Sequence, residues 1–114
     1  MTTLSELRNL LEASCEGLQE VSIRRMFGCD GFFVRDSIFG LIWKTGRIGI
    51  KLADPQLFSE AMSLQGSEPW TAGKRVMSRW VLLPESFHQD PSTLRSWVKL
   101  AHSLVLHPPP AKKT

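Results

Sequence analysis

The sequence predicts an α+β domain with two layers: a five-stranded antiparallel sheet with helices on one face, in the order α-β-β-β-β-α-β-α. Three observations predict it. The hydrophobic period changes from helical to alternating at Val21. Four strand-like runs between Val21 and Leu52 are joined by links far too short for a parallel crossover, which needs roughly a dozen residues. Two Asp-Pro pairs, Asp54-Pro55 and Asp90-Pro91, each open a helical pattern, because Asp caps and Pro suits the first helical position.

Thr3 and Glu6 have the spacing of a capping box. They open a helix with Leu4, Leu7, Leu11, Cys15 and Leu18 on one face, widened by Leu10, and Gly17 is the expected stop. Val21–Phe27 alternates and reads as a strand. Gly28–Gly31 turns the chain, since its two glycines are free to take positive φ. Phe32–Val34, Ile38–Lys44 and Arg47–Leu52 continue the meander, with turns at Arg35–Ser37 and Thr45-Gly46.

The helix opened by Asp54 runs to about Leu64, with Leu57, Phe58, Ala61 and Leu64 inward. Gln65–Lys74 reads as a loop because it holds Gly66, Pro69 and Gly73. A fifth strand reaches Leu83, and a helical turn is expected at Glu85–Phe87. The last helix turns Leu94, Trp97, Val98, Ala101, Leu104 and Val105 to one side. Residues 1–106 are expected to form one domain and 107–114, rich in proline and lysine, a disordered tail.

A chain of 114 residues buries roughly two thirds of its unfolded surface and needs no covalent staple. Apolar residues at 42% and charged residues at 22% fit an ordinary globular domain. No stretch approaches the ~18 apolar residues of a membrane span. The amphipathic segment Met1–Leu11 is unlike a signal peptide, so a cytoplasmic protein without membrane contact is expected. Cys15 and Cys29 form neither a disulfide framework nor a metal spacing; Cys15 is read as a core residue and Cys29 as an accessible turn residue.

The net charge of +3 is unevenly spread. Glu6, Glu12, Glu16 and Glu20 dominate residues 1–20, whereas Arg24 and Arg25, and a second cluster of Lys74, Arg75 and Arg79, stand out beyond them. Such a basic rim permits an anionic partner without requiring one, since charged side chains on the solvent side of strands and loops are the usual explanation. Trp70 and Phe32 are aromatic groups that could stack on bases, but no helix-turn-helix or RNA-recognition motif is present.

The third strand departs from simple alternation. Phe39, Leu41 and Trp43 are read as pointing one way, Ile38 and Ile42 the other. The fifth strand likewise opposes Trp80 and Leu82 to Val81 and Leu83. A sheet with one wet face should alternate apolar with polar residues, so both faces are expected to be covered. Self-association or a partner at Ile38, Ile42, Trp43, Trp70 and Trp80 is the favoured cover. The alternative is that the loop Gln65–Lys74 folds over the face with Trp70 as its plug.

His88, His102 and His107 do not pair in sequence with a nucleophile or carboxylate motif, and no phosphate-binding, dinucleotide or zinc-protease motif occurs. No catalytic residue, cofactor or metal is expected. The expected function is therefore a non-enzymatic binding or regulatory module acting through protein–protein contact. Met26, Met62 and Met77 would make its surface adaptable or simply fill its core. The alternatives are a nucleic-acid-binding accessory protein using the basic rim, and a small enzyme whose site is invisible in linear sequence.

Several short motifs in order carry a family resemblance: Met26-Phe27-Gly28, Gly31-Phe32-Phe33, Phe39-Gly40-Leu41-Ile42, Ile48 with Ile50-Lys51, and Pro69-Trp70. Gly73-Lys74, Val76-Met77-Ser78, Trp80, Pro84-Glu85, Asp90-Pro91 and Leu94 with Trp97 complete the pattern. Together they resemble the N-terminal domain of the TfoX (Sxy) competence-regulator family over about residues 4 to 105. The resemblance implies a two-layer, secretion-chaperone-like fold and a stand-alone single-domain member. It also implies a link to transcriptional control of competence genes, in which longer members act with a cyclic-AMP receptor protein and carry a second domain. Cys29 stands where the pattern has a second glycine, and Gly49 where a bulky residue is usual.

Overall fold

A computed structural model describes residues 3–26 and 28–107. The expected tail beyond His107, Phe27 at the end of the first strand and Met1 at the head of the first helix lie outside the described residues. In chain order the elements are α1 (Leu4–Ser14), β1 (Val21–Met26), β2 (Cys29–Val34), β3 (Ser37–Trp43) and β4 (Arg47–Lys51). α2 (Pro55–Met62), β5 (Glu68–Ala72), β6 (Arg75–Leu82), a short 3-10 helix at Glu85–Gln89 and α3 (Pro91–Leu106) follow.

Local signals set the helix starts. Thr3 Oγ1 accepts from the Glu6 amide at 3.1 Å, and Glu6 Oε1 accepts from the Thr3 amide at 2.9 Å, completing the capping box. Asp54 Oδ1 accepts from the amides of Gln56 at 2.8 Å and Leu57 at 3.2 Å. Asp90 Oδ1 accepts from the Thr93 amide at 3.3 Å. The end of α1 is closed from a distance: Arg95 of α3 donates to the carbonyls of Ser14 at 3.0 Å and Glu16 at 2.9 Å. This cation at a helix C-terminus satisfies carbonyls the helix leaves open.

The sheet is wholly antiparallel, with strand order β1-β2-β3-β4-β6-β5. Its six strands correct the expected five. The additional strand is β5, which the sequence presents as a loop because Pro69 and its flanking glycines read as breakers. It survives because it lies at the sheet edge, where a missing ladder donor costs little.

All three helices pack on one face. Leu7 and Leu11 of α1, Ala61 of α2, and Leu94 and Val98 of α3 are fully buried there. Phe32, Phe39, Ile48, Ile50 and Val81 meet them from the sheet. The opposite face carries a second buried cluster: Cys29, Leu41, Trp43, Trp70, Trp80 and Leu82. The outer face is thus covered within one chain, and Trp70, borne on β5, is its plug. Trp70 is 1% exposed and meets Trp43 and Trp80 edge-on at centroid distances of 5.2 and 4.9 Å.

Two register breaks create this arrangement. Between β2 and β3, Phe32 pairs with Gly40 but Phe33 pairs with Ile38, so Phe39 is an inserted residue. One inserted residue reverses the alternation beyond it. Phe39 and Ile42 therefore both join the helix-side core, while Ile38, Leu41 and Trp43 belong to the outer cluster. This corrects the expectation that Phe39 shares a face with Leu41, and Ile42 with Ile38.

Between β5 and β6, Pro69 pairs with Val81 but Thr71 pairs with Val76. β6 therefore bulges over Met77–Trp80 opposite Trp70, and Arg79 takes a φ of 65° within the bulge. A bulge bends a strand and increases its twist. Gly49 lies beneath the same cluster: a Cβ there would meet Leu41 Cδ1 at 3.1 Å and Leu82 Cδ2 at 3.2 Å. Any side chain at this position would require those two leucines to shift.

Arg47 fastens the hairpin's root. Its guanidinium donates to the carbonyls of Gly66 at 2.6 Å and Leu83 at 2.9 Å and pairs with Glu68 Oε1 at 2.8 Å. Only 11% of its side chain is exposed.

Candidate interaction surface

The sheet has two edges, and they are built differently. β5 is short, contains Pro69 and is broken by a register shift, three features that blunt an edge against pairing. β1 has no proline, and its six residues pair with β2 in one unbroken register from Val21↔Val34 to Met26↔Cys29. Ser22, Arg24, Arg25 and Met26 are exposed along it. The connection to β2 passes through Gly28, whose φ of +74° glycine adopts at no steric cost. β2 begins at Cys29, inside the segment Gly28–Gly31 that the sequence assigns to a turn and ahead of the expected start at Phe32.

Arg24 and Arg25 project from opposite faces of this edge. Arg24 pairs with Gly31 and lays its guanidinium 4.1 Å from the centroid of Phe33, covering that ring on the outer face. It also lies 3.8 Å from Asp36, both side chains being well exposed. Arg25 pairs with Asp30 across the strands, and its Nη1 is 3.3 Å from Asp30 Oδ1. Arg8 of α1 approaches the same carboxylate at 3.9 Å. The Arg24–Asp36 pair is open to solvent, and such pairs contribute little to stability. Arg24, Arg25, Met26, Phe33 and Asp36 line a shallow cleft of about 250 Å³.

The remaining members of the basic rim sit elsewhere. Lys74 lies in the exposed β5–β6 turn and Arg75 follows it at the start of β6. Arg79 turns toward α2, its guanidinium 5.5 Å from the Phe58 ring. Three strands, β2, β3 and β4, separate β1 from β6. The five cations therefore form separate groups.

Of the apolar positions assigned to a partner face, Ile38 is half-buried, while Ile42, Trp43, Trp70 and Trp80 are 3%, 9%, 1% and 4% exposed. Ile42 belongs to the helix-side core and the other four to the outer cluster.

Neither thiol is poised for chemistry. Burial pushes the Cys15 thiol up to about 12. Burial also raises the Cys29 thiol, which donates to the Met26 carbonyl at 3.0 Å and is 4% exposed, correcting its reading as an accessible turn residue. His102 is buried, with Nε2 2.7 Å from the Gln19 carbonyl and its ring edge-on to Phe39 at 5.5 Å. Among the described residues no group of three or more His, Cys, Asp and Glu side chains is placed to hold a metal, and no helix is long and apolar enough to cross a membrane.

The burial of His88 leads us to expect a pH-dependent contribution to folding stability. Its Nε2 is buried with no hydrogen-bond partner among the described residues. Burial lowers the imidazole below its ordinary 6.5, with Glu85 opposing and the Arg47 charge adding to the shift. The unfolded chain then binds more protons as the medium is acidified, so this contribution to stability is intact above the ordinary histidine value and is lost as pH falls through the depressed folded value. Thermal melts should show a smaller drop between about pH 7.5 and about pH 5.5 for His88→Asn than for the parent chain. An identical drop would remove His88 from the account.

The sequence signalled Arg24 and Arg25 through local charge but not their common edge or opposed faces, because edge position depends on which strands remain unpaired. No match to this chain was found among curated proteins. The model of the TfoX N-terminal domain matches residues 13–104, from the end of α1 through most of α3. With that match extending over all six strands, the chain belongs to the TfoX N-terminal domain family.

Proposed function

We propose that this domain is a non-catalytic binding module that works in regulation through contact with another protein. The family's general association with competence regulation supports a regulatory setting. The observation that carries the reading is the contrast between the sheet edges: β5 is blunted, whereas β1 is continuous and flanked by exposed arginines. The buried thiols and the His102 contacts favour binding over a reacting group.

The test is native affinity purification of the tagged full chain from cells that express it, with and without nuclease. A protein recovered in stoichiometric amount after nuclease treatment is the expected result. A partner lost on nuclease treatment would instead assign the domain to nucleic acid. Recovery of the chain alone would overturn the reading.

A further inference from the structure

Resting on the regulatory binding reading, we infer that β1 is a docking edge for an extended acidic segment of another protein, which adds to the sheet as a seventh strand. The backbone supplies the first argument. The Arg35 amide donates to the Glu20 carbonyl at 3.4 Å, making Glu20–Arg35 a hydrogen-bonded position in the β1–β2 ladder. In an antiparallel ladder bonded and non-bonded pairs alternate. In the observed register, Ser22, Arg24 and Met26 bond inward to β2, while Val21, Ile23 and Arg25 turn their N–H and C=O groups outward. None of the turn, loop and cap hydrogen bonds of the described residues reaches those outward groups. An added strand can form about six main-chain hydrogen bonds with three such residues.

Charge selects the occupant. Arg24 lies over Phe33 on the outer face and Arg25 reaches Asp30 on the helix side, so an incoming strand meets a cation whichever of its faces carries the carboxylates. Asp36 and Asp30 face these arginines, and the nearby Arg35 is held by Glu20 at 2.9 Å. Pairing β1 with a second β1 would bring two copies of Arg24 and Arg25 into one short ribbon, and like charges across strands are destabilising. The same arginines that disfavour a second copy favour carboxylates.

The cleft adds shape. Phe33 forms its floor under Arg24, and Met26, 38% exposed, is an adaptable wall. One apolar side chain on the outer face of the incoming strand fits there, while its acidic sequence neighbours turn to the helix side, toward Arg25.

The experiment uses the full chain, isotope-labelled, with a synthetic peptide of about eight residues that alternates valine and glutamate, long enough to lie along β1. Its lysine-for-glutamate counterpart and a version N-methylated at alternate amides serve as comparisons. The expected result is saturable binding of the glutamate peptide, at least about tenfold tighter than either comparison peptide. On saturation, amide exchange at Val21, Ile23 and Arg25 should slow at least about tenfold, while Ser22, Arg24 and Met26, already bonded inward, should change little. Ile23→Pro, which deletes a central outward N–H, should weaken binding by at least about tenfold in a chain whose melt is otherwise normal. If that variant does not fold, the N-methylated peptide tests the reciprocal half of the ladder, in which peptide amides donate to the outward carbonyls of β1. Absence of glutamate-peptide binding, equal binding of the lysine peptide, or uniform slowing along β1 would overturn the inference. A nuclease-resistant protein partner that persists after such a failure would leave the regulatory reading standing and place the contact away from β1.

Discussion

Trp70→Ala should destabilise the domain by about 3–5 kcal/mol, the range for deleting a large buried aromatic side chain. The substitution removes the centre of the outer cluster, leaving Trp43 and Trp80 without the ring that both meet edge-on at 5.2 and 4.9 Å. Collapse cannot repair the gap cheaply, because β6 is already bulged opposite this position and β5 is held at its root by Arg47. Total stability in a domain of this size is about 5–15 kcal/mol, so the loss is a large share of the whole. Urea unfolding should show a lower midpoint at nearly unchanged slope, and Tm should fall by more than about 10 °C. Trp70→Phe, which keeps a ring in place, should recover most of the loss. The alanine variant should also associate as concentration rises, because Trp43, Trp80 and Leu41 become an apolar patch. A stability change below about 1 kcal/mol would show that Trp70 does not close the face.

The second large effect is at Arg47. Its guanidinium reaches the backbone carbonyls of Gly66, Leu82 and Leu83 and the Glu68 carboxylate, at distances between 2.6 and 3.3 Å. Arg47→Ala should cost about 2–4 kcal/mol, chiefly because partly buried carbonyls lose a charged donor. Glu68 is 61% exposed and contributes a small share. Arg47→Lys should lose more than half as much as the alanine variant, since an ammonium cannot span the carbonyls that the planar fork bridges. Hydrogen exchange should show β5 opening ahead of β3 and β4 in both variants, as a locally released hairpin does. A lysine variant within about 0.5 kcal/mol of the parent chain would refute the clamp.

The helices were legible because their signals are local. Thr3 and Glu6 bond to one another three residues apart, and the Asp-Pro pairs carry both cap and first turn within a few positions. The antiparallel meander was legible because its links are too short for any other connection. Trp70 was recognisable as a candidate plug because an apolar outer strand face requires a cover and an aromatic ring stood in the neighbouring segment. The strand bearing it was hidden by Pro69, which is acceptable only because β5 lies at an edge.

The two β-bulges depend on a different kind of information. Phe39 and Ile42 join the helix-side core because one residue is inserted opposite β2, and Trp70 meets Trp43 because β6 bulges at Met77–Trp80. A register is a property of two strands together, and neither strand's own pattern reveals it. The same holds for Arg47, whose acceptors lie 19 to 36 positions away, and for Arg24 and Arg25, whose common edge exists only because β1 has one paired neighbour. The amino-acid sequence alone determined the fold class, helix starts and meander, since caps, periodicity and short links act between near neighbours. Only the tertiary structure decided which face each strand residue occupies, what covers the outer face and which edge stays open, because those outcomes depend on pairing between distant segments.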